Sequence, residues 1–113
     1  MSDPSRKIGI VTGASRGIGL EICKFLLKSK YSLVINSTKE NNNCLSTLKS
    51  IADEQDQRLI SITGDISSTD TINKIIKTTF QEFKGVNVLV NNAGVLDDAF
   101  LGMISEESYD RTH

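Results

Sequence analysis

The sequence predicts an α/β fold: a Rossmann-type doubly wound parallel sheet, incomplete, with four strands in the order 3-2-1-4 and flanking helices. Three observations carry this. Short apolar runs alternate with amphipathic stretches as β-α-β-α-β-α-β, and that alternation means parallel strands joined by right-handed crossovers. The first strand runs into a glycine-rich turn that opens a helix, Thr12-Gly13-Ala14-Ser15-Arg16-Gly17-Ile18-Gly19. The fourth run passes directly into Asn91-Asn92-Ala93-Gly94, at the end of a strand that should neighbour the first.

Lys7 to Thr12 is the first strand, with the near-continuous apolar character of a strand buried on both faces. The helix after it, Ile18 to Lys28, is expected to turn Ile18, Ile22, Phe25 and Leu26 to the core, at helical spacing. Ser29-Lys30 ends it, and Tyr31 to Asn36 is the second strand. Ser37 to Asn43 is polar, a loop or a fraying helix start, before Leu45, Leu48 and Ala52 mark a second helix. Arg58 to Thr63 is the third strand, closed by Gly64-Asp65. Ser67 is placed to cap the next helix, with Asp70 three residues on in its first turn. Ile72, Ile75, Ile76, Thr79, Phe80 and Phe83 form its core stripe, and Gly85 terminates it. Val86 to Val90 is the fourth strand. Ser105-Glu106-Glu107 opens a further helix, with acids at its positive end.

The glycine turn carries the chemistry. One glycine takes a backbone conformation that a Cβ would strain, one lets a phosphate approach the main chain, and one lets the helix pack tightly on the strand. The helix then offers unpaired N–H groups and the positive end of its dipole to an anion. The glycines fall at 13, 17 and 19, and no Gly-Lys-Ser/Thr follows, so the turn is not an NTPase phosphate loop. It reads as a nucleotide pyrophosphate site.

Composition narrows the rest. At 113 residues the chain, residues 1–113, is one domain at most, and small for an α/β one. A net charge of −1 with scattered Lys and Arg gives no electrostatic case for nucleic acid or an anionic membrane. The apolar runs are too short to span a bilayer, and Met1-Ser2-Asp3-Pro4 opens no apolar signal region. Cys23 and Cys44 form neither metal spacing nor disulfide framework, which fits a reducing cytoplasm. Cys23 reads as a packing residue. The sole histidine is His113, so no metal site is expected.

Together, Thr-Gly-x-x-x-Gly-x-Gly at 12–19, Asn-Asn-Ala-Gly at 91–94 and Asp65 at the end of the third strand resemble the short-chain dehydrogenase/reductase family. The wording of both motifs is most similar to the 3-oxoacyl-acyl-carrier-protein reductases. From Lys7 onward the chain matches the N-terminal half of such a protein. The resemblance implies an oxidoreductase of the cytoplasm, acting on small carbonyl or alcohol substrates, including carrier-protein-linked ones of fatty acid biosynthesis, and assembled as a homo-oligomer. It implies that Gly13, Ala14, Ser15, Arg16, Gly17, Ile18 and Gly19 hold the pyrophosphate and adenosine ribose. Asp65 and Ile66 would meet the adenine, Asp65 being otherwise a polar helix cap. Asn92, Ala93 and Gly94 would meet the nicotinamide-side ribose, and Asn91 either contributes there or braces the sheet. The family's serine, asparagine and Tyr-x-x-x-Lys pair fall beyond residue 113, and no residue here is assigned a catalytic role. Tyr109 is followed four residues on by His113, not Lys.

Charge suggests NADP(H). An acid after the second strand would hydrogen-bond the ribose of NAD and repel a 2′-phosphate. Ser37 stands there instead, no acid occurs before Glu40, and Arg16 and Lys39 bring positive charge. In isolation the fourth strand would be an exposed apolar edge. The alternatives are a non-catalytic nucleotide- or partner-binding fragment, a remnant without function, and, as a fold competitor, a class I methyltransferase, which leaves Asn91 to Gly94 unexplained.

Overall fold

The computed structural model describes residues 6–15 and 17–92. Its elements are β1 (Lys7–Thr12), α1 (Gly17–Lys28), β2 (Tyr31–Ser37), α2 (Asn42–Glu54), β3 (Leu59–Thr63), α3 (Thr69–Glu82) and β4 (Val88–Asn91). All strand pairs are parallel and the sheet order is β3-β2-β1-β4, as the alternating pattern requires.

The helices cover both faces of the sheet. On one side α3 lays Ile72, Ile75, Ile76 and Phe80 on Ile8 and Ile10 of β1, Val34 of β2 and Ile62 of β3. On the other, Cys23, Leu26 and Leu27 of α1 join Leu48 and Ala52 of α2 over Val11, Leu33 and Ile35. Alternate residues of β1 and β2 thus serve opposite layers, as the period of two in a strand demands. The half-buried residues of β4 divide likewise, Leu89 to the α3 side and Val88 and Val90 to the α1 side. Among the described residues β4 pairs only with β1, and its side chains are half-buried.

Several boundaries differ from expectation for local reasons. The inward face of α1 is Gly19, Cys23, Leu26 and Leu27, whereas Ile18 and Phe25 are 71% and 68% exposed. The asparagine run belongs to α2: Asn41 is its N-cap, and its side-chain oxygen accepts a bond from the Cys44 N–H at 3.1 Å. The N-cap of α3 is Ser68, not Ser67, and its hydroxyl makes no capping bond. The preceding turn is closed instead by Asp65, whose carboxylate accepts from the Ser67 N–H and hydroxyl. α3 ends at Glu82, ahead of Gly85, because Phe83 turns extended and buries its ring in the core. β4 starts at Val88, since Asn87 leaves the strand pattern and its side chain accepts from the Ile8 N–H at 2.8 Å. The expected helix opening at 105–107 lies outside the described residues, as does Tyr109.

Candidate functional site

Strand order places the site. The carboxyl end of β1 is flanked on both sides, with Thr12 opposite Asn36 of β2 and opposite Asn91 of β4. Between β1 and β4 the strand order reverses, and crevices at such reversals are where α/β sheets take ligands.

The glycine turn is shaped by close approach. It leaves β1 at Gly13 with φ 64° and enters α1 at Gly17 with φ 57°, left-handed values that glycine takes without strain. Gly19 has a different reason. A Cβ there would run into the carbonyl of Gly13 and come within 2.5 Å of the Asn92 amide nitrogen. The first turn of α1 therefore sits against the preceding loop, with no acid in it and its leading N–H groups without helical partners.

Two neighbours brace the turn. The Asn92 amide donates to the Gly13 carbonyl at 3.0 Å, and the Thr12 hydroxyl donates to the Asn91 side-chain oxygen at 3.0 Å. Asn91 is thus engaged in bracing β1 to β4. The Ala14 N–H donates to the Asn36 carbonyl at 3.0 Å, tying the turn to β2.

Beside the turn opens a cleft of about 620 Å³, lined by Gly13 and Ser15 of the turn, Thr38 to Asn41 after β2, and Asn92 after β4. Next to it is a crevice of about 10 Å³ lined by Ala14, Ser15, Ser37, Cys44 and their apolar neighbours, room for about one water. Ser37 is buried here, and its hydroxyl donates to the Lys39 carbonyl at 3.0 Å, closing the loop after β2 on itself.

The residues singled out in the sequence thus fall into three groups. Gly13, Ala14, Ser15, Ser37 and Asn92 surround the cleft and crevice. Gly17, Ile18 and Gly19 form the first turn of α1, with Ile18 facing solvent instead of the core. Asp65 and Ile66 follow β3 and line neither cavity: Ile66 packs on the α3 side, and Asp65 is exposed. Hydrogen bonds from the Ser67 N–H and then its hydroxyl hold the Asp65 carboxyl below the usual carboxylate range. Arg16, Ala93 and Gly94 lie outside the described residues.

Sequence reasoning missed Asn36, Asn41 and Cys44. Asn41 caps α2 on the cleft wall, and a capping residue ahead of a helix was the available signal. The Cys44 thiol donates to the Ser15 carbonyl at 2.8 Å, a contact between distant segments with no local signature. Cys23 is a packing residue, with its thiol pushed up to about 12 by burial. Among the described residues no cluster of three or more His, Cys, Asp or Glu is placed to hold a metal.

Comparison with known proteins supplies the wider frame. A sequence model described as short chain dehydrogenase matches residues 7–113. A 3-oxoacyl-[acyl-carrier-protein] reductase of Staphylococcus epidermidis is 31% identical over 104 residues, covering 92% of this chain and 42% of that protein. An L-xylulose reductase of Caenorhabditis elegans is 37% identical over 103 residues, covering 91% and 39%. The chain thus spans less than half the length of these relatives. Two solved structures share the fold: an actinorhodin polyketide ketoreductase variant with NADPH (TM-score 0.69, 22% identity, covering 98% of this chain and 49% of that one), and a 3-oxoacyl-[acyl-carrier protein] reductase from Brucella melitensis with NAD (TM-score 0.69, 22% identity, 97% and 47%).

Proposed function

The chain belongs to the short-chain dehydrogenase family, and from that premise we propose that residues 1–113 form the cofactor-binding half of an NADP(H)-dependent carbonyl reductase. The observation that carries the reading is the glycine turn, hydrogen-bonded to Asn92 at the reversal of strand order and lining the 620 Å³ cleft. The bound dinucleotide would supply a hydride from its nicotinamide C4. The residues of this chain bind and orient it. The turn from Gly13 to Gly19 receives the pyrophosphate on main-chain N–H groups at the positive end of α1. Asp65 and Ile66 receive the adenine, and Asn92, Ala93 and Gly94 the nicotinamide-side ribose.

Selection of the 2′-phosphate rests on the loop after β2. Ser37 stands where an acid would reject the phosphate, and its hydroxyl is engaged with the Lys39 carbonyl. Lys39 lines the cleft, and Arg16 stands between Ser15 and Gly17 in the sequence. Both cations favour an anionic ribose substituent. Hydride transfer in the family needs a Tyr-x-x-x-Lys pair, and neither tyrosine here has the lysine: Tyr31 is followed at that spacing by Ile35, and Tyr109 by His113. A second reading, cofactor binding without turnover, draws on that observation. For the whole enzyme the reading adds small carbonyl or alcohol substrates, 3-oxoacyl thioesters among them, a homo-oligomeric assembly and a cytoplasmic setting.

The test is calorimetric titration of the chain with NADPH and with NADH, each followed by a turnover assay with a 3-oxoacyl thioester. NADPH is expected to bind at least tenfold tighter, a difference of about 1.4 kcal/mol, and Ser37→Asp to reverse the order. Binding of neither dinucleotide would overturn the proposal. Binding without turnover is the result expected of these residues on either reading, since neither tyrosine has its lysine.

A further inference from the structure

We propose that Asn36 is a positioning residue that sets the adenine-side loop at its working distance from the pyrophosphate turn. This rests on the dinucleotide reading above. Asn36 is the penultimate residue of β2 and is 2% exposed. It reaches in two directions. Its carbonyl accepts the Ala14 N–H at 3.0 Å, which fixes the glycine turn. Its side-chain amide donates to the carbonyls of Ile62 and Gly64, each at 3.1 Å. Both partners are acceptors, so the nitrogen must face them, and only an NH₂ group offers two donors there.

Gly64 is therefore held at both of its polar groups. Its N–H donates to the Ser37 carbonyl at 2.9 Å, and its carbonyl accepts from Asn36. The next two residues are Asp65 and Ile66. The paired register of β2 and β3 ends at Thr63, and one residue further the backbone bond to Ser37 and the Asn36 amide together fix Gly64. One residue thus links the two segments, its carbonyl tied to the one proposed to hold the pyrophosphate and its side chain to the one proposed to hold the adenine. Neither size-matched substitute repeats this. Aspartate turns acceptors toward two carbonyls, and leucine leaves both without a donor in a buried setting.

The experiment compares the wild-type chain with Asn36→Ser, ¹⁵N-labelled, titrated with NADPH and followed by amide chemical shifts. The expected result has two parts. Affinity falls about tenfold. At saturation the amides of 13–15 move as in wild type, while those of 65–67 no longer respond. If Asn36→Ser does not fold, Asn36→Thr, which keeps one donor and suits a strand, carries the same comparison. Unchanged affinity with a lowered melting point would overturn the proposal and leave Asn36 a purely structural residue. Joint loss of both sets of shifts would overturn it as well. Failure of the wild-type chain to bind NADPH is a separate outcome, and it removes the dinucleotide reading itself.

Discussion

Helices α1 and α3 lie on opposite faces of one sheet and follow different rules. α3 buries the stripe its sequence shows: Ile72, Ile75, Ile76, Thr79 and Phe80 all face inward. Thr79 joins them by donating its hydroxyl to the Ile75 carbonyl one turn back, at 2.6 Å. α1 has two apolar stripes one residue apart. Ile18, Ile22 and Phe25 form one, and Gly19, Cys23, Leu26 and Leu27 the other, a rotation of about 100°. By side-chain size the first is the stronger. The second is buried, because only Gly19 can lie against the Gly13 carbonyl and the Asn92 amide. In α3 the core sets the rotation of the helix. In α1 the turn that serves the ligand sets it, and two large apolar side chains are left in solvent.

This contrast can be broken at its ends. The largest effect is expected in α3. Ile75 has no exposed surface, and Ile75→Ala should cost about 2–5 kcal/mol by denaturant unfolding. Gly19→Ala should cost about 1–3 kcal/mol. It should also abolish dinucleotide binding, because α1 can relieve the contact only by backing away from the turn. If Gly19→Ala keeps wild-type stability and binding, the account of α1 fails.

The buried face of α1 also has a titration signature. The Cys23 thiol has a folded value of about 12 against 9.0 when free. The unfolded chain therefore releases its proton first, and unfolding becomes easier as pH rises from about 9 towards 12, with no contribution below that range. Cys23→Ala should flatten this part of a stability–pH curve. In the native chain below pH 9, a thiol reagent should label the half-exposed Cys44 well before Cys23. The smallest effect belongs to the solvent stripe: Phe25→Ser should change stability by no more than about 0.5 kcal/mol. A loss above 2 kcal/mol would mean that Phe25 is covered.

The same contrast marks what was legible in the sequence. Strand order, helix count and the α3 stripe follow from periodicity, which reports burial directly. The turn at Gly13 to Gly19 and the bracing asparagines at 91 and 92 were visible as motifs, because their spacing encodes a backbone path. The rotation of α1 was not legible, since it depends on which of two apolar stripes a glycine lets approach. The N-cap of α3 at Ser68 rather than Ser67, with Asp65 closing the turn before it, was likewise hidden among neighbours of equal propensity. Asn36 gave no local sign at all. Its two acceptors lie 26 and 28 residues away, and only the folded sheet brings them together.

The seam between β1 and β4 has a thermodynamic consequence. Asn87 to Ile8, Thr12 to Asn91 and Asn92 to Gly13 each join residues 79 positions apart. Among the described residues, closing a loop of that size carries more chain entropy than the other strand pairings, and β4 repays it over four paired residues. The cleft is therefore completed by the strand whose docking has the largest entropic cost. Native-state hydrogen exchange should show amides 88–91 opening at lower free energy than those of β2. Because opening that seam also removes Asn92 from the turn, any ligand held across it acts as a clasp, protecting β4 in proportion to RT ln(1 + [L]/Kd).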